Sequence, residues 1–240
     1  MAPPSADIAS NLESVRRRVD RAAHRARRFP SNIRLVAVSK TFSADAIRAA
    51  AAAGQRVFGE NRVQEGVEKI DQLGDLSLEW HLIGHLQSNK ARRAAASFAW
   101  IESVDRLDVL QKIDRAAAEL GTRPDVLIQV DLAHEATKHG ADEAVVADLV
   151  ATAAAARLVR LRGLMIVPPY ADDPEASRPW FRRLRALRDR LVAGGIPADS
   201  LTELSMGMSH DFEVAIEEGA TMVRVGTAIF GARDALADGA

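Results

Sequence analysis

IRLVAVSKTF, residues 33–42, is the stretch whose reading decides the fold. Four of the six positions from Ile33 to Val38 carry leucine or β-branched side chains, the pattern of a buried strand, and Ser43 then opens a helical pattern as its N-cap. Lys40 therefore falls where a parallel strand hands over to its helix, the edge on which α/β folds usually place their chemistry. A primary amine held there can condense with a carbonyl once burial or neighbours lower its pKa from about 10.4. The bland alternative is a solvated lysine just past a strand end.

The same alternation repeats outward from this stretch. Strand-like runs fall at 33–39, 56–60, 79–83, 100–104, 125–131, 161–166, 201–204 and 222–225. Helical patterns fall at 44–53, 62–73, 89–97, 106–120, 142–156, 180–193, 211–218 and after Gly226. Eight strands alternating with eight helices predict an α/β chain folded as a (β/α)8 TIM barrel, with an extra N-terminal helix. A doubly wound open sheet is the alternative with the same pattern. Ser43 and Ser209 fit N-caps, and Gly54 and Gly219 fit C-caps. No Pro/Gly/Ser-rich linker interrupts the chain, so residues 1–240 are read as a single domain. The longest irregular piece, PPYADDPEASRP at 168–179, follows strand six and could border a site.

Composition narrows the function classes. The 240 residues are 48% hydrophobic and 27% charged with a formal net charge of −1, and there is no cysteine. Disulfides, thiolate catalysis and Cys-ligated metals are thereby removed. No run approaches the roughly 18 apolar residues of a membrane span, and the first 20 residues lack the apolar core of a signal peptide. A cytoplasmic protein with no membrane partner is expected. Near-neutral charge gives no general case for nucleic-acid binding. Arg16, Arg17, Arg18, Arg21, Arg25, Arg27 and Arg28 crowd the first helix, but Ile8, Leu12, Val15, Val19, Ala22 and Ala26 form one apolar stripe along it. The expectation is a core-docked helix with solvated arginines, with an RNA-facing surface as the alternative. His81 and His85 are four apart, but on a strand they would stand about 13 Å apart at about 3.3 Å per residue. No metal site is expected.

A second signal lies near the other end. LSMGMSHDFE (204–213) follows strand seven, and VRVGTAIFG (223–231) covers strand eight and the next helix start. Barrels often bind phosphate with the loops after strands seven and eight. Ser205, Gly207, Ser209, Gly226 and Thr227 supply hydroxyls and exposed backbone N–H groups suited to an anion. Asp211 and Glu213 favour the Gly226–Thr227 end for that anion. The alternative is that these small residues only make tight turns. Carbonyl chemistry at Lys40 together with a phosphate seat suggests a phosphorylated aldehyde.

On these motifs the chain resembles a known family. AVSKTF (37–42), FGENRVQEG (58–66), WHLIGHLQSNK (80–90), GLMIVPP (163–169) and the long segment 204–233 are similar, in order, to the YggS/PROSC family of pyridoxal 5′-phosphate (PLP)-binding proteins. The likeness runs from about residue 8 to residue 233. It implies a fold type III PLP-binding barrel akin to that of alanine racemase, with PLP held as a Schiff base on Lys40. It further implies that Ser205, Ser209, Gly226 and Thr227 hold the phosphate, that Asn61 lies beside the ring, and that Arg224 faces the pyridine nitrogen. An arginine stays charged and has no acceptor, so a nitrogen facing it stays unprotonated and the ring is a weaker electron sink. Arg62 after FGEN and the wording of GLMIVPP depart from the common family pattern at the rim of the pocket.

The function implied is PLP (vitamin B6) homeostasis and amino-acid/keto-acid balance, without enzyme activity, with PLP-dependent apo-enzymes as recipients and a monomeric state. The alternatives are a PLP-dependent amino-acid racemase of low activity and a Schiff-base sugar-phosphate aldolase. Racemases of this fold take a second base from a tyrosine on another domain. Here the one tyrosine, Tyr170, lies in an irregular loop, and about ten residues remain after the barrel.

Overall fold

The computed structural model describes residues 5–134 and 139–232. Its strands are β1 (Arg34–Val38), β2 (Val57–Glu60), β3 (Glu79–Leu82), β4 (Trp100–Val104), β5 (Asp125–Asp131), β6 (Arg160–Ile166), β7 (Glu203–Met208) and β8 (Met222–Val225). Hydrogen-bonded neighbours run β4-β3-β2-β1-β8-β7-β6-β5, and β4 also pairs with β5, which closes the ring. Every pairing is parallel. Closure decides for the barrel over the open sheet. A two-residue strand, Ala141–Asp142, lies beside the end of β5.

The helices are α1 (Ser5–Arg25), α2 (Ala44–Ala52), α3 (Val63–Gln72), α4 (Ala91–Ser97), α5 (Leu107–Leu120), α6 (Glu143–Ala154), α7 (Arg178–Ala193), α8 (Phe212–Glu217) and α9 (Thr227–Phe230). Ser43 caps α2 as expected, its hydroxyl accepting from the Ala46 N–H. Two apolar clusters result. The larger joins the outer face of the barrel to the helices; the smaller, Trp100, Leu127, Met165 and Met222, lies apart from it in the barrel interior. Among the described residues no helix is long and apolar enough to cross a membrane. The last residues of the expected single domain, 233–240, lie outside the described ones, as do 1–4 and 135–138.

Helix α1 buries Ile8, Leu12, Val15, Val19 and Ala22, while Ala26 falls beyond its end and is half-buried. Much of the arginine cluster is used internally. Arg16 donates to the Ala53 carbonyl, Arg18 lies over the Phe212 ring, Arg25 pairs with Glu217, and Arg28 donates to the carbonyls of Ile216 and Ala220. These contacts tie the helix to α8 and to the end of α2, which is the core-docked arrangement.

One boundary shifts in a way that matters. The seventh strand is read at 201–204 from the sequence but runs Glu203–Met208, so Ser205 lies within it and not in the loop beyond. Serine and glycine in LSMGM look like turn residues; here they occupy a pleated, buried strand. Gly207, at φ +93°, has the space of its Cβ filled by Ala215 and Phe212. Ser209 likewise does not cap α8. The residue at that cap is Asp211, whose side chain accepts from the Met208 N–H.

Candidate functional site

Strand β1 sits between β2 and β8, with Val38 opposite Gly59 and Val36 opposite Arg224. Half-buried Lys40 lies two residues past the end of β1, on the same edge of the barrel as Asn61, just past β2, and Gly226, just past β8. Phe42 stacks on Phe230 with ring centroids 4.9 Å apart, joining the Lys40 turn to α9. Sequence positions 40, 61 and 226 thus all lie at the C-terminal mouth of the barrel, after three neighbouring strands. Gly84, after β3, packs against the Asn61 backbone so closely that a Cβ would overlap it.

The turn carrying Lys40 is held by charge. Thr41 adopts φ +67°, a left-handed conformation that costs a β-branched residue about 1–2 kcal/mol. Its N–H donates to Glu65 Oε1 at 2.6 Å, and the Phe42 N–H donates to the Ser39 carbonyl at 3.0 Å. Buried Lys69, from α3, donates to the Ser39 carbonyl, to Glu60 Oε1 and to Glu65 Oε1, all within 2.8 Å. Ser39 Oγ also donates to Glu60 Oε1, at 2.6 Å. Burial pushes the Glu60 carboxyl up against the opposing pull of Lys69, and its Oε2 has no hydrogen-bond partner among the described residues.

Beneath the mouth lies Arg224, 3% exposed. It donates through Nη1 to Ser205 Oγ at 2.6 Å and through Nη2 to the Ile166 carbonyl at 2.7 Å. Burial draws its pKa down, against the fields of Glu102 and Asp211, yet a guanidinium keeps its charge. Ser205 is fully buried and its hydroxyl is shared between Arg224 and Glu102. The structure therefore does not bring Ser205 to the rim with the other expected phosphate residues. Ser209 is there: its Oγ accepts from the Gly226 N–H at 3.1 Å and the Ala228 N–H at 3.4 Å. Thr227 is exposed beside them.

Three side chains that the sequence does not place together gather on the same face. His85, Asp105 and His139 hold ligand-type atoms within 4.8 Å of one another. The two imidazoles stack face to face, centroids 3.8 Å apart and planes at 15°, so their in-plane lone pairs run side by side and do not converge on one ion. His85 Nδ1 lies 3.3 Å from Asp105 Oδ2. Burial and the His139 charge lower the His85 pKa. Exposed Tyr170 meets His210 at 5.9 Å between ring centroids, on the loops after β6 and β7.

Residues 10–234 match the model of the alanine racemase N-terminal domain family. A pyridoxal phosphate homeostasis protein of Escherichia coli is 47% identical over 235 residues, covering 95% of this chain and 97% of that one. One from Aquifex aeolicus is 44% identical over 222 residues, covering 92% and 96%. The chain belongs to the pyridoxal phosphate homeostasis protein family. PipY of Synechococcus elongatus, solved with PLP bound, is 43% identical with a TM-score of 0.83, covering 93% of this chain and 100% of that one. The alanine racemase of Corynebacterium glutamicum shares the fold at 19% identity and a TM-score of 0.73, and this chain covers 62% of it. Members of the homeostasis family thus keep the racemase barrel, here with Lys40 at the end of β1 and Arg224 in β8.

Proposed function

We propose that this protein binds PLP through a covalent link to Lys40 and serves in vitamin B6 homeostasis as a carrier, not as a catalyst. The observation that supports this reading is that Lys40, Asn61 and the Gly226 N–H that donates to Ser209 all follow the C-terminal ends of neighbouring strands, β1, β2 and β8, the last of which carries the buried charge of Arg224. PLP supplies an aldehyde that condenses reversibly with an amine and a ring that withdraws electrons from it. The donor set fits such a molecule. The N–H groups of Gly226 and Ala228 already converge on an oxygen, that of Ser209, and a phosphate oxygen can take the same donors, with Thr227 adding a hydroxyl. Ser205 acts from below by holding Arg224, a change from its expected phosphate contact. Arg224 can only donate, so it stabilises a ring nitrogen that keeps its lone pair. Relatives carrying the homeostasis name, and PipY with PLP bound, support the same reading.

A carrier role also follows from what surrounds Lys40. A ring without its proton is a poor sink for the carbanion that racemisation requires. Two-sided proton transfer needs a second base, and Tyr170 is 77% exposed in a rim loop. We extend the reading to one functional domain over residues 1–240, a cytoplasmic monomer that hands PLP to apo-enzymes. The test is to incubate the purified protein with PLP, reduce with borohydride, and map the modified peptide among the five lysines (40, 69, 90, 112 and 138). A pyridoxyl group on Lys40 supports the reading; a colourless protein left unmodified at Lys40 overturns it and favours the sugar-phosphate aldolase.

A further inference from the structure

Resting on that reading, we propose that His81 and Glu102 are positioning residues for Arg224, which fix the direction of its guanidinium through Ser205. The argument is one of hydrogen-bond direction. Arg224 has donors only, so Ser205 Oγ must accept from Nη1 and send its own proton elsewhere. The partner on that side is Glu102 Oε2, which must therefore be an acceptor. Glu102 Oε1 in turn takes the proton of His81 Nδ1, at 2.6 Å. His81 Nε2 faces Glu79 Oε1 at 3.0 Å, and that same oxygen accepts from Arg34 Nη1 at 2.7 Å. With a carboxylate oxygen at each ring nitrogen, His81 satisfies both by carrying both protons.

The result is a run of alternating charge through the barrel interior, from half-exposed Arg34 and Glu79 up to fully enclosed Glu102 and Arg224. The groups touching His81 come from its own strand (Glu79) and from β4 (Glu102, and Trp100 stacked at 5.3 Å); beyond them Arg34 of β1 pairs with Glu79 and lies over Trp100, and Arg224 of β8 reaches Glu102 through Ser205. The two carboxylates raise the His81 pKa against the opposing effect of burial, and His81 holds Glu102 below the usual carboxylate range although burial opposes that. Stability alone is a poor reason for such a row. Buried ion pairs rarely outdo well-packed apolar side chains, and Trp100, Leu127, Met165 and Met222 form an apolar cluster in the same barrel interior. What the row does supply is direction. Nη1 is aimed by the Ser205–Glu102–His81 chain and Nη2 by the Ile166 carbonyl, so the plane of the guanidinium is set before any ligand arrives.

The experiment uses the full chain loaded with PLP and the variants His81→Gln and Glu102→Gln, with Glu79→Gln as a milder third. The readouts are the Lys40 adduct after borohydride, the pH dependence of the visible band of the bound cofactor, and its dissociation constant. The expected result is that the variants still give the Lys40 adduct, release PLP about ten-fold more readily, and show a visible band that shifts with pH where the wild type is constant. Glu79→Gln moves in the same direction by less. Nitrogen NMR of His81 in the wild type adds a check that needs no variant: both ring nitrogens protonated at neutral pH support the chain, and a neutral imidazole overturns it. A wild-type Lys40 adduct with variants indistinguishable in band and affinity overturns the positioning role while leaving the cofactor reading intact. No adduct in the wild type overturns both.

Discussion

Two charged networks bracket Lys40, and they are built in opposite ways. The clamp on the Lys40 turn gathers residues 39, 60, 65 and 69, all within one βαβα stretch, around a single ammonium. The row behind Arg224 draws on β1, β3, β4, β7 and β8 and alternates charge along the barrel interior. The clamp acts on backbone: it holds Thr41 at φ +67° and so fixes where the amine leaves the strand. The row acts on side-chain direction. A covalent link tolerates a flexible four-carbon stem but needs its base placed, whereas one donated hydrogen bond to a ring needs its angle placed.

The comparison can be broken from the clamp side first. Lys69→Met leaves Glu60 and Glu65 without their cation, one of them fully buried, and should cost about 3–5 kcal/mol in urea unfolding. Because Glu60 already sits above the usual carboxylate range, that loss should shrink as the pH falls and the carboxyl takes a proton. Full stability in Lys69→Met at neutral pH would remove the clamp from the account.

The row should show the opposite pH behaviour. His81 has a raised folded pKa, so the stability it adds is fully present below its unfolded value of about 6.5 and is lost as pH rises through the folded value. Glu102 has a depressed one, so its contribution is present above the ordinary carboxylate range and is lost as pH falls through the folded value. The stability gap between wild type and His81→Gln should therefore be widest in mildly acidic buffer and narrow toward alkaline pH. A gap that does not vary with pH contradicts a charged His81.

Smaller effects sharpen the contrast. Ser209→Ala deprives the Gly226 and Ala228 N–H groups of their acceptor and should lower apo-protein stability by about 1 kcal/mol, while PLP loading recovers most of that loss if phosphate takes the same donors. Thr41→Gly removes left-handed strain but adds chain entropy, so thermal unfolding should shift stability by less than about 1 kcal/mol, in the stabilising direction.

Much of this was legible in the chain. IRLVAVSKTF gave a strand, a cap and the lysine between them, and the eight-fold alternation led to the barrel. Ser205 was misplaced because a serine beside Met-Gly reads as a turn, while its real partners, Glu102 and Arg224, lie on strands distant in sequence. Lys69 and Glu65 sit four apart on a helix, the pattern of a solvated pair; the burial of Lys69 comes from the placement of α3 beside the ends of β1 and β2, where Lys69 meets the Ser39 carbonyl and Glu60, and no local pattern encodes it. His81 drew notice as a metal ligand through its spacing from His85. The better signal was the charged residue in each of WHLI and WIESV, strands otherwise suited to complete burial.

The most direct test of the central claim is peptide mapping after borohydride reduction of the PLP-loaded protein, run beside Lys40→Ala. The account predicts one pyridoxyl group on Lys40 and none at the other four lysines, with covalent loading abolished in Lys40→Ala. An adduct on a different lysine, or unchanged loading in Lys40→Ala, would contradict it.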